Sequence, residues 1–147
     1  MLRALERWRR IGVDGRHLTL EALLLVVYVR CALWCSPFAQ VEQRFHPRSP
    51  IAAQRRNASG DAEQVAEAVR RAARRVPGAS CLTQALATRV ALGRRGVVGE
   101  LRIGVAKDAS GMLEAHAWIE FEGRVLIGDL PDLARFQPLP PLRGDAV

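Results

Sequence analysis

The chain has 147 residues, 49% of them apolar and 25% charged, a balance that supports one packed core and excludes a disordered polymer or two cores of ordinary depth. Its net charge of +7 invites a nucleic-acid reading, but Lys107 is the only lysine among the 22 basic residues, and the arginines come as scattered doublets such as Arg70-Arg71 and Arg94-Arg95 between apolar segments. Without a concentrated basic stripe to displace counterions from phosphates, no nucleic-acid partner is expected.

After an arginine-rich start and a turn at Asp14-Gly15, the sequence predicts a helix from about Leu18 to Cys35, ended by Pro37. Its uninterrupted apolar core runs only from Ala22 to Val29, between Glu21 and Arg30, whereas crossing a bilayer takes ~20 apolar residues. A buried or partner-facing helix is therefore expected rather than a membrane span or signal sequence. Cys31 and Cys35 share a face of that helix and read as small buried hydrophobes, because no third or fourth metal ligand follows nearby. Three cysteines cannot pair completely, and their spacing fits neither a secreted disulfide framework nor a zinc site, so a reducing cytoplasm is the expected compartment.

The polar stretch from His46 to Gly60, with Pro47, Pro50 and Asn57, divides the chain into an N-terminal helical extension and linker, residues 1–60, and a core, residues 61–147. Asp61 is expected to cap a helix whose Val65, Ala68, Val69, Ala72 and Val76 repeat at helical spacing, until Pro77-Gly78 stops it. Ser80 is then a good N-cap for a second helix that opens on Cys81 and ends at Gly93. Beyond Gly96 the period changes to two: Leu101, Ile103 and Val105 alternate with polar residues or glycine, a turn follows at Asp108 to Gly111, and strands are predicted at Leu113 to Phe121 and Arg124 to Asp129 around a Glu122-Gly123 turn. The tail, with Pro131, Pro138, Pro140 and Pro141, should run extended over the surface. The fold class is thus α+β, helices packed on a small antiparallel sheet.

This order places Cys81 where orphaned N–H groups and the helix dipole favour negative charge, and hence a nucleophilic thiolate. If Glu122 and Gly123 form a two-residue loop, Phe121 pairs with Arg124, Ile119 with Leu126, and His116 with Asp129. Directly opposed residues share a sheet face with Cβ atoms ~5 Å apart, so Asp129 would accept the Nδ1 proton of His116 and leave Nε2 for the cysteine. A slip of one residue would put them on opposite faces; Asp132 is the alternative orienting group. Ser80 is a candidate oxyanion donor, and Trp118, on the His116 face by period two, either walls the site or fills core. No metal or nucleotide motif is present, and no cofactor is expected.

The same residues resemble a known family, the lasso peptide B proteins, specifically the stand-alone leader peptidase half. The resemblance lies in Cys81-Leu82-Thr83-Gln84-Ala85-Leu86, Leu101-Arg102-Ile103-Gly104-Val105, Ala115-His116-Ala117-Trp118-Ile119-Glu120 and Gly123-Arg124-Val125-Leu126, with the Glu21-Ala22 helix similar to the family's N-terminal helix. It implies a transglutaminase-like superfamily cysteine peptidase with a papain-like core, its nucleophile helix on an antiparallel sheet, that removes the leader from a ribosomally made precursor. It further implies a separate winged-helix-like leader-recognition protein, a separate ATP-using cyclase, and a cleft that accepts a Thr near the end of the leader. Two rivals stand beside it: a transglutaminase-like acyl transferase that delivers the thioester to an amine, and a non-catalytic module that docks an acidic leader or another protein.

Overall fold

The structure, a computed structural model, describes residues 13–45 and 58–140. The arginine-rich start, most of the polar stretch from His46 and the end of the tail from Pro141 lie outside them. Among the described residues there are four α-helices, α1 (Val13–Cys35), α2 (Phe38–Arg44), α3 (Ala58–Ala73) and α4 (Cys81–Gly93), and four strands, β1 (Glu100–Lys107), β2 (Leu113–Phe121), β3 (Arg124–Ile127) and β4 (Gln137–Pro138). The strands form one sheet in the order β3-β2-β1-β4, with β1–β2, β2–β3 and β1–β4 all antiparallel. The α+β class read from the sequence is the class observed.

Helix α1 starts earlier than the Asp14-Gly15 turn predicts, since those residues are helical. The Gly15 carbonyl accepts a hydrogen bond from Thr19 Oγ1 at 2.8 Å, and packing of the helix against α3 and α4 overrides the local turn tendency. One face of α1 carries Ala22, Leu25, Val26 and Val29 into the core at 0–4% exposure, each large aliphatic side chain contributing about 1.5–3 kcal/mol by burial. The opposite face leaves Leu20, Leu24, Val27, Tyr28 and Trp34 in solvent. Cys31 and Cys35 are exposed too, which corrects the expectation that they are buried. The segment Gly15–Cys35 is long and apolar enough to cross a membrane by length and composition, but the buried half of α1 is already occupied by the protein's own helices.

Beyond Pro37 the chain forms a further short helix, α2, which anchors Val41 in the core. Helix α3 begins at Ala58, so the boundary drawn at residue 60 falls within it, and Asp61 sits in its first turn, where the dipole favours a carboxylate, rather than at its cap. Ala62, Val65, Ala66, Val69 and Ala72 face one core that also takes the buried face of α1, Leu86 and Leu92 of α4, and Ile119 and Ile127 of the sheet. Glu21 of α1 ties to α4's end, accepting from Arg95 Nη2 at 2.6 Å and Arg94 Nη1 at 3.3 Å.

The hydrogen bond from Arg95, followed by the charges of Arg95 and Arg94, holds the Glu21 carboxyl below its ordinary range against the opposing effect of burial. A carboxylate whose pKa is lower folded than unfolded stabilises the protein above the unfolded value, and that contribution disappears as pH falls through the folded one. Glu21→Gln is therefore expected to melt about 1–4 °C below wild type at neutral pH. In melts run from pH 7 to pH 3, the gap should close as the pH drops below about 4.3, the ordinary glutamate value; a gap that widens there would refute the assignment.

Candidate active site

Ser80 caps α4 as expected: its Oγ accepts the Thr83 N–H at 3.3 Å, and the Ser80 carbonyl accepts the Gln84 N–H at 3.0 Å. Cys81 is the first residue of the helix and half-buried. Since Thr83 and Gln84 are satisfied this way, helix geometry leaves the Cys81 and Leu82 N–H groups without an intrahelical acceptor, at the end of the helix where the dipole favours negative charge. A cavity of about 830 Å³ has both Cys81 and His116 in its wall. Leu82 of α4, Phe38 of α2, and Leu101 and Ile103 of β1 supply much of the remaining lining. The nucleophile and base candidates, 35 residues apart in the chain, thus border one space.

Two wall residues were not anticipated. Arg89 of α4 and Glu42 of α2 meet at 3.2 Å with side chains 7% and 12% exposed, and both line the cavity. A desolvated pair this close ties α4 to α2 across the wall. Its partners lie 47 positions apart, and nothing local in the sequence links them.

The β2–β3 hairpin corrects the pairing expected of His116. The loop is the predicted two-residue turn, with φ of 49° at Glu122 and 74° at Gly123, the left-handed pair a type I′ turn requires. Phe121↔Arg124 and Glu120↔Val125 follow, but Ile119 then pairs with Ile127, leaving Leu126 as the extra residue of a β-bulge. The Leu126 carbonyl, displaced from the ladder, is taken by the Arg70 guanidinium of α3. Strand β3 ends at Ile127, short of Asp129, and the shifted register no longer sets Asp129 against His116.

Instead, His116 Nε2 lies 2.7 Å from the Gly128 carbonyl oxygen. As a donor there, Nε2 carries the proton and leaves Nδ1 as the basic nitrogen, the reverse of the tautomer expected from an Asp129 contact. The ring is half-buried, stacked on Trp118 (centroids 6.1 Å, interplanar 17°) and tilted against Phe136 at 5.4 Å. Asp129, the next residue after that carbonyl, is exposed and outside the cavity wall.

Trp118 also lies outside the wall. It is 3% exposed in a small second core with Ala106 and Phe136, its Nε1 donating to Glu120 at 2.8 Å, so of its two readings the core one describes it. Gly104, opposite His116 in the β1–β2 register, makes room for it: a Cβ there would fall 2.9 Å from the Trp118 ring and 3.0 Å from Phe136. Asp132 bonds Arg135 at 2.6 Å, and Arg135 also pairs with Glu114, which occupies the alternative orienting group elsewhere. The tail is more ordered than an extended surface strand. A 3₁₀ turn (Leu133–Arg135) delivers Phe136 to the second core, and β4 pairs with Gly104 and Val105.

Among family models, that of the transglutaminase-like superfamily matches residues 23–140, which include most of the buried face of α1, the helix that opens on Cys81 and the whole sheet. Neither the curated proteins nor the solved structures give a match.

Proposed function

Since the chain belongs to the transglutaminase-like superfamily, which includes cysteine peptidases and acyl transferases, we propose that it is a cysteine peptidase removing the leader from a ribosomally made lasso precursor. The observation that supports this most is Cys81 opening α4 in the wall of the cavity that His116 also borders. With Nε2–H given to the Gly128 carbonyl, Nδ1 takes the Cys81 proton. The thiolate attacks the scissile carbonyl, and the oxyanion that forms draws on the Cys81 N–H, a donor of a kind worth about 3 kcal/mol of barrier, with Ser80 as the proposed second donor. The imidazolium protonates the leaving amine of the core peptide, and water then hydrolyses the thioester. Asp129 is the proposed source of negative charge for the imidazolium, one residue beyond the carbonyl that holds the ring.

In this reading the leader is presented by a separate winged-helix-like recognition protein, and the freed amine passes to an ATP-using cyclase. The three unpaired cysteines, Cys31, Cys35 and Cys81, suit a reducing cytoplasm. Mass spectrometry of precursor incubated with the protein and its recognition partner tests the proposal. Two hydrolysed fragments are expected; a product coupled to an added alkylamine would favour the acyl-transferase alternative, and an intact precursor would favour a binding module. Asp129→Asn should slow cleavage about tenfold to a hundredfold, less than His116→Ala, because the ring keeps its main-chain acceptor. Equal losses in the two variants would mean that the carboxylate, not the carbonyl, orients the imidazole.

A further inference from the structure

The last described segment of the chain has a fixed root and a thin tip, and the tip reaches the wall of the Cys81 cavity. At the root, Phe136 is 6% exposed, packed with Trp118 and Ala106 and tilted against the His116 ring at 5.4 Å. Arg135, immediately before it, lies over the Phe136 ring at 4.4 Å and bonds Asp132, Glu114 and the Lys107 carbonyl. Past Phe136 the character changes: Gln137, Pro138, Leu139 and Pro140 are all exposed, so burial of side chains does little to hold them. Gln137 pairs with Val105 and Pro138 with Gly104, and the Leu139 N–H then donates to the Ile103 carbonyl at 2.7 Å. Pro138 and Pro140, on either side of Leu139, have no N–H to give.

Solvent-facing side chains and a few backbone bonds at a sheet edge make a segment that opens locally at lower cost than the core it leaves. Where the tip lies gives that opening a purpose. Leu139 and Pro140 line the cavity that Cys81 and His116 border, together with Glu100 to Ile103 of β1. One side of the space around the thiol is therefore the chain's own tail. An extended segment laid antiparallel on a strand edge is also the way an incoming peptide is bound by strand addition, so the tail holds the place on β1 that such a peptide would take.

We propose that residues 137–140 are a strap, hinged after Phe136, that closes the cavity beside β1 and swings away to admit a peptide to Cys81. The tail and the substrate thus compete for one edge, and the protein occludes its own site until the substrate displaces the strap. This deepens the peptidase reading and rests on it only for the identity of the displacing ligand as a peptide. The hinge falls beyond the Phe136 ring, so the contact between Phe136 and His116 is kept while the strap moves.

The test reads alkylation of Cys81 by two reagents of the same chemistry, iodoacetamide and an Ala/Gln octapeptide carrying an N-terminal iodoacetyl group, with each site followed by peptide mass. Cys31 and Cys35 are exposed on α1 and serve as reference sites. Leu139→Pro removes the N–H that bonds Ile103; a second variant, ending at Pro138, removes the tip and keeps Phe136 and β4. Where opening is fast, labelling follows the open population. Leu139→Pro should therefore accelerate the peptide reagent at Cys81 about fivefold, the weight of one exposed backbone hydrogen bond, and the shortened variant should accelerate it further. Iodoacetamide at Cys81, and both reagents at Cys31 and Cys35, should change by less than about twofold, because only the large reagent needs the strap open. A peptide reagent no faster at Cys81 in either variant, or a gain shared equally by iodoacetamide, would overturn the proposal. Precursor cleavage should rise in the same two variants, and a wild-type protein that cuts as fast as both of them would overturn it as well. Failure of the peptidase reading registers separately, as wild-type and variant proteins that label as expected and cut no precursor.

Discussion

Cys81→Ala is expected to leave precursor uncut, with a cleavage rate at least about a thousandfold below wild type, while the protein melts within about 3 °C of it. The expected activity loss follows from removing the sulfur that forms the thioester in the proposed mechanism, a step for which neither His116 nor any main-chain group can substitute. Retention of the fold follows from its location. Cys81 is half-buried at the first position of α4, Ser80 supplies the cap, and alanine is the strongest helix former. Cys81→Ser is expected to be almost as inactive, since a hydroxyl is a far weaker nucleophile at neutral pH. Alkylation by iodoacetamide must be mapped by peptide mass rather than counted, because the exposed Cys31 and Cys35 react as well. Labelling at Cys81 that disappears in His116→Ala would tie the two residues into one unit; cleavage by Cys81→Ala would end the mechanism.

Gly128→Ala is expected to lower the melting temperature by about 10 °C and, on the proposed mechanism, to reduce cleavage further than the lost stability explains. The residue has φ +85°, and a Cβ added there would lie 2.6 Å from the Ala117 carbonyl oxygen and 2.8 Å from Trp118 Cβ. The left-handed conformation costs a non-glycine residue about 1–2 kcal/mol. Contact with rigid backbone and with Trp118 Cβ adds about 2 kcal/mol, and at roughly 2–4 °C per kcal/mol the sum gives the stated shift. Gly111 separates the two causes: its φ is +82°, but nothing lies within 4 Å of its Cβ position, so Gly111→Ala carries the backbone cost alone, about 1–2 kcal/mol. The additional activity loss in Gly128→Ala arises because the displaced carbonyl is the one that fixes His116. A variant with wild-type melting and turnover would mean that the local backbone yields without consequence.

Much of the scaffold was legible because its signals are local. Pro37 ends α1, Ser80 caps α4, Glu122-Gly123 turns the hairpin, and period two marks β1 and β2. Cys81 at a helix start and His116 within a strand are legible for the same reason, each from its position within its own element. Asp129 faces His116 only if the hairpin register is regular, and the bulge makes it irregular. The bulge at Leu126 is accompanied by a bond from Arg70, 56 residues away in the chain, and no hairpin arithmetic contains that information. The Gly128 carbonyl went unseen because a main-chain acceptor has no residue type to notice. Helix α2 was missed because seven residues give periodicity too few turns to register, and with it went Phe38 and Glu42, two pieces of the cavity wall.

The half of α1 that the core does not use carries Leu24 at 70% and Trp34 at 83% exposure, a greasy ridge where soluble monomers ordinarily keep such residues apart. A protein so built is expected to adhere to plastic, hydrophobic resins and detergent micelles through that ridge. Losses on dilution will therefore mimic weak binding unless a carrier protein coats the vessel, and non-ionic detergent below its micellar concentration will recover apparent activity without altering a single rate constant.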